Sequence, residues 1–322
     1  MSIDPKLMEL GKKLAEIFMP HASRRRSKMI ADRGRFVHYT SAAAGLSIIS
    51  SKSLWMRNTT CMSDFSEVQH GFANLQRQEN LKLLIYSLNQ HFAGAGAEAI
   101  ALFDQWWSDT QFGTFIASIS EHDPSEDTHG RLSMWRAFGG GVAARVAFVL
   151  KLPLEPASAQ SLQVLLSPVS YFREAELAAE IASVTTNVRD NLNFLNTVDR
   201  PVLIASIFYM LVMGAVCLKH EGFFEEREWR IIYNPKRMAS PLMTFKVETV
   251  EGVPQIVYKL PLGGGPPADL DNISIPRMLD RLIIGPTPYP WAMYEAFVAA
   301  LAEVGVPDAG NKVFVSGIPI RA

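Results

Sequence analysis

Cysteine is nearly absent. Cys61 and Cys217 are the only two among 322 residues. Two thiols cannot build a disulfide framework or a zinc site of their own, so a reducing compartment, the cytoplasm, is expected. Neither has a paired histidine, so both read as small apolar core residues, not as catalytic thiols. An excess of one charge is missing too. The formal net charge of −1 exerts no global pull toward nucleic acid. The Gly-x-Ser-x-Gly elbow and the His-Glu-x-x-His zinc motif are lacking. His21, His38, His70, His91, His122, His129 and His220 are scattered without ligand spacing, so no metal is expected. No secretory leader is read at the start: Ile3 to Pro20 mixes polar and apolar residues. Internal repeats and low-complexity segments are missing as well.

A content of 48% hydrophobic and 20% charged residues describes an ordinary globular protein. The length suits one large domain or two modest ones and is ample for a sizeable core. Leu7, Leu10, Leu14, Ile17 and Phe18 recur at helical spacing and predict an amphipathic N-terminal helix. Arg24 to Lys28 follows as a basic linker, solvated or in contact with a polyanion. Residues 1–34 therefore form an N-terminal helix and linker, and 35–322 a single domain. Pro201 to Leu218 is uncharged and strongly apolar, of borderline length for a bilayer. Lying between polar regions and unlike any other segment, it predicts a core helix with no membrane contact.

Strands are predicted at Phe36–Thr40, Leu54–Arg57, Phe112–Ser120, Val142–Leu150 with Val164–Tyr171 as its neighbour, Glu228–Tyr233, Gln255–Leu260, Leu282–Gly285 and Lys312–Ser316. Thr40 or Ser41 caps a helix over 42–50; Thr59–Glu67 is a polar loop. Helices are predicted over Val68–His91, Ala93–Trp107, Leu132–Phe138, Phe172–Leu195 and Trp291–Val304. Strand and helix do not alternate regularly, which favours α+β over a doubly wound sheet.

Polar groups at strand ends point to a ligand site. His38, Tyr39 and Thr40 end one strand; Glu228 and Arg230 begin another. Glu228 could act as general base, or hold a hydroxyl and stabilise a cationic transition state, and a neutral His38 could donate to a ribose hydroxyl or a carbonyl. His38 and Tyr39 are successive and face opposite sides, so only one shares a cleft with Glu228. Trp135, in Ser133-Met134-Trp135-Arg136, could stack on a base or nicotinamide if exposed, or anchor the core. Arg136 could grip phosphate, and the Gly139–Gly141 run could offer backbone N–H groups to it.

These elements resemble a widespread bacterial domain of unknown function. Its features are matched by His38-Tyr39-Thr40, Leu54-Trp55, the acids Asp64 and Glu67, Ser133-Met134-Trp135, Glu226-Arg227-Glu228-Trp229-Arg230 and the ending Ile318-Pro319-Ile320-Arg321. The resemblance covers about residues 35 to 322, with the Glu-Arg-Glu-Trp-Arg element its most specific part; Ser63 stands where the family has Asn. That family is distantly similar to ADP-ribosyltransferases, which place a His or Arg on a first strand, a Tyr or Ser on a second, and a Glu on a late strand. The resemblance implies a fold of split mixed or antiparallel sheets of ADP-ribosyltransferase type with added helices. It also implies NAD as substrate, His38 and Glu228 as catalytic residues, and His38, Tyr39, Thr40, Ser133, Trp135, Arg136 and Arg230 as NAD ligands. The acceptor would be a macromolecule, protein or nucleic acid, and the role that of a toxin or phage-defence effector. A nucleotide-sensing module without chemistry and a nucleic-acid-binding defence protein are the alternatives.

Overall fold

The computed structural model describes residues 4–61, 64–137, 144–151, 156–250, 252–263 and 268–319, with the backbone alone at 64–67, 70, 137, 156–157 and 268–269. In chain order its elements are α1 (Pro5–Phe18), α2 (Pro20–Ala31), β1 (Arg35–Ser41), α3 (Ala42–Ser51), β2 (Ser53–Asn58), α4 (Asp64–Arg77), α5 (Glu79–His91) and α6 (Ala95–Gly113). β3 (Phe115–His122), α7 (Leu132–Ala137), β4 (Arg145–Leu150), α8 (Pro156–Leu162), β5 (Leu165–Pro168), α9 (Glu174–Asp190), α10 (Leu192–Leu195) and α11 (Arg200–Val216) follow. The last are β6 (Glu228–Tyr233), β7 (Thr244–Val250), β8 (Val253–Pro261), α12 (Ile275–Met278), β9 (Leu279–Ile284), α13 (Pro290–Glu303) and β10 (Val313–Val315).

The fold is α+β, with helices on both faces of a mixed, mostly antiparallel sheet. Strand order is β10-β9-β4-β1-β3-β2-β8-β7; β6 adds to β3 and β5 to β6. Only β9–β10 is a parallel ladder among these strands. β3 organises the centre. One edge pairs with β6 along its length, from Phe115↔Tyr233 to Ser120↔Glu228. The other edge is shared. β2 pairs with its start, at Arg57↔Ile116 and Asn58↔Phe115. β1 pairs with its end, from Val37↔Ser120 to Arg35↔His122. Between them β1 and β2 part, and the sheet is split beside Ala117, Ser118 and Ile119.

The two faces bury different cores. One face carries Phe36, Ile119, Phe148, Trp229 and Ile231 against Ile48 and Ile49 of α3 and Phe297 and Leu301 of α13. The other is covered in part by α1, α5, α6, α9 and α11, through residues such as Phe18, Leu88, Phe103, Ile181 and Phe208. A smaller cluster beside it joins Val37, Tyr39, Ala147 and Ile283 to Met134 and Trp135 of α7. Fully burying a side chain of this size contributes roughly 1.5–3 kcal/mol, so these clusters hold the layers together.

The apolar segment is α11, buried along Leu203, Ile207, Phe208, Leu211 and Val216. Among the described residues no helix is long and apolar enough to cross a membrane. Ser41 is the cap of α3, accepting from the Ala44 N–H at 3.2 Å.

Several sequence-based expectations are corrected. The basic run is not a linker but the middle of α2, where Arg24 pairs with Glu180 and Arg25 with Glu121. α4 begins at Asp64, inside the expected loop, and Gln78 in extended backbone breaks the expected long helix into α4 and α5. β5 pairs with β6 and not with β4. β7 was not expected: its residues are mostly exposed on both sides, so it lacks the alternation that marks a half-buried strand.

Candidate functional site

Register assigns each candidate to a face of the sheet, because directly paired residues project to the same side and successive residues alternate. Val37, Ser120 and Glu228 form one cross-strand row. Phe36 and Glu121 belong to the opposite face with Trp229, whose ring meets Phe36 edge-on at 5.2 Å and whose Nε1 donates to Glu121 at 2.8 Å. β1 pairs with β4 without interruption, so the alternation holds along it. Tyr39 therefore shares the face of Glu228, and His38 lies on the other. The two expected catalytic groups do not line a single cleft.

They do converge on one residue. Ser118 donates its hydroxyl to Glu228 Oε1 at 2.5 Å. Its backbone carbonyl, at the split, lies 2.9 Å from His38 Nδ1. A carbonyl can only accept, so Nδ1 carries the proton and the neutral ring keeps Nε2 as an acceptor. Desolvation lowers the pKa of His38, opposed by the bond to Ser118, and favours that neutral form.

Glu228 is 4% exposed. Arg230, fully buried, donates to it through Nε at 3.0 Å and also to the Val216 carbonyl. Lys219 Nζ lies 3.3 Å from Glu228 Oε2 and 2.7 Å from Glu226, under the ring of Phe223. The Glu228 N–H donates to the Tyr171 hydroxyl at 2.9 Å. Burial alone would raise the pKa of Glu228. The charges of Arg230 and Lys219, with hydrogen bonds from Arg230 and Ser118, more than offset burial and hold it below the ordinary glutamate value. The carboxylate is thus ionised, and it belongs to a buried network, not to the surface pair that flanking arginines would suggest.

No known family model, curated protein or solved structure matches this chain. The functional reading therefore rests on the geometry and on the motifs.

The remaining candidates divide. Trp135 is 5% exposed, meets Tyr39 edge-on at 4.8 Å and donates Nε1 to the His129 carbonyl at 2.7 Å. It anchors the core and is not the exposed stacking platform considered from sequence. Tyr39 is 6% exposed, and its hydroxyl accepts from the Arg131 N–H at 2.8 Å. Burial pushes its pKa up to about 12, so it remains a neutral phenol. Thr40 and Ser133 are half-buried, and Arg136 is exposed beside α7's end. The side chains of Asp64 and Glu67, the Gly139–Gly141 run and the final Ile320-Arg321 lie outside what is described. Cys217 is buried, and desolvation raises its thiol to about 11, which suits a core residue. No group of His, Cys, Asp and Glu able to hold a metal occurs among the described residues.

Sequence reasoning missed Ser118, Lys219 and Tyr171. The strand holding Ser118 was expected, but a serine in an apolar run carries no mark of a carboxylate 110 residues away.

Proposed function

We propose that the chain is an NAD-directed protein of ADP-ribosyltransferase type, with Glu228 as its catalytic carboxylate and Ser118 as the residue that orients it. One observation carries the reading: a serine on a central strand holds the carboxylate of a late-strand glutamate, where the sheet is split. A serine and a late-strand glutamate are among the groups that the motif resemblance implies, although Ser118 stands on the third strand in chain order and not on the second. The arrangement corrects the first-strand assignment, because Tyr39, and not His38, stands on the glutamate's face. An ionised carboxylate fixed by a hydroxyl and two cations suits stabilisation of an oxocarbenium-like sugar as nicotinamide leaves. Lys219, with Phe223 over it, covers the carboxylate, so NAD must displace this cover to reach it.

The test is incubation with NAD and measurement of released nicotinamide. Wild type is expected to release it, and Glu228→Gln to lose about 10²-fold or more in rate while still binding NAD. Ser118→Ala should fall between them, and His38→Ala should keep the activity. NAD binding without nicotinamide release would convert the protein into a nucleotide-sensing module. Absence of binding would overturn the proposal.

A further inference from the structure

A cavity of about 1670 Å³ runs between α1, α8, β5, α11 and the sheet. It exceeds the roughly 300–1,000 Å³ usual for small-ligand pockets. Its walls are mainly apolar, including Leu14, Phe18, Leu162, Val212, Ile231 and Met278. Charged side chains on the lining are few: Glu9 and Lys12 on α1, Arg26 on α2, and Arg237. Arg237 is unusual among them. Its guanidinium lies 3.8 Å from the centre of the Phe208 ring, 5.2 Å from Trp106 and 5.3 Å from Tyr209. Nη1 is buried without a hydrogen-bond partner, the Tyr209 hydroxyl is the polar group that supports the guanidinium, and no carboxylate is seen paired with it among the described residues. Thr110, one turn beyond Trp106 on α6, also lines the cavity with a buried hydroxyl that has no partner.

Aromatic faces attract a guanidinium but offer nothing to an in-plane donor such as Nη1. A desolvated donor without an acceptor is costly, and burial lowers the pKa of Arg237 accordingly. The planar fork of arginine fits a carboxylate or phosphate through two parallel hydrogen bonds. The missing partner is thus an oxyanion, and the space leading from it is long and apolar.

We propose that this cavity binds an amphiphile with a long hydrocarbon tail and an oxyanion head group, the head held by Arg237 and the tail lying between α1 and the sheet. This does not depend on the NAD reading, since Glu228 lies outside the cavity lining.

Titration calorimetry with sodium palmitate, hexadecyl phosphate and hexadecanol tests it. At least one of the two acids should bind at one per chain and about tenfold or more tighter than the alcohol. Whichever acid binds better identifies the head group as carboxylate or phosphate. Arg237→Leu should remove that preference, and Arg237→Lys should keep part of it. Ala205→Trp, which fills the lining on α11, should abolish binding without lowering the melting temperature, and it decides the matter if Arg237→Leu fails to fold. No binding, equal binding of acid and alcohol, or binding unchanged in Arg237→Leu or Ala205→Trp would overturn the proposal.

Discussion

Glu228 and Arg230 show how one short strand can carry both charge and core. β6 is buried from end to end, yet two of its six residues are ionised. They are two apart, on one face, and Arg230 spends its donors on the carboxylate and on Val216. Removing the cation while keeping the volume leaves Glu228 with one charged partner. Arg230→Met is expected to destabilise the protein by about 3–5 kcal/mol in urea unfolding. Tyr39→Phe is smaller and of a different kind. It strips the acceptor from the buried Arg131 N–H and should cost about 1–3 kcal/mol, with the T-shaped contact to Trp135 kept.

Among the elements, α7 and α4 are placed by close approach. Trp135 of α7 sits over Tyr39 and against Gly285, where a Cβ would come within 2.9 Å of the indole. Trp135→Ala should cost about 3–5 kcal/mol through the cavity it leaves, read as a lowered urea midpoint with an unchanged slope. α4 meets α11 where Gly71 lies: a Cβ there would be 2.4 Å from the Ala215 carbonyl oxygen. That neighbour is backbone and cannot rotate aside, so Gly71→Ala should push the helices apart and destabilise by about 1–3 kcal/mol, despite the better helix propensity of alanine.

For the whole molecule, desolvated imidazoles set the response to acid. Desolvation is the largest cause lowering the pKa of His21, His38 and His122. Each binds a proton less readily folded than unfolded, so each contributes stability above about pH 6.5 that is lost as pH falls through the folded values. Glu228 and Asp280 are lowered as well, but their contribution is intact above the ordinary carboxylate range and is lost only as pH falls into that range and on through the lower folded values. The melting temperature should therefore begin to drop between about pH 6.5 and 5, before the carboxylates titrate. His38→Gln should flatten that first decline in a pH series.

The elements that pattern alone makes legible are those whose environment is simple. α1, α11 and α13 announce themselves by apolar spacing, and β1, β3, β4 and β6 by β-branched and aromatic runs. The alternation of His38 and Tyr39 was legible as well, because a period of two is a property of the strand itself. Which of them stands beside Glu228 was not, since it depends on the register of Val37 with Ser120 and of Ser120 with Glu228, pairings that cross more than eighty residues. β7 escaped because a strand exposed on both sides leaves no pattern. Nothing in the local sequence marks Arg237; the fold places it among three aromatic rings. Local periodicity reflects backbone geometry and can be read along the chain; partnership between distant side chains exists only once the sheet has been assembled.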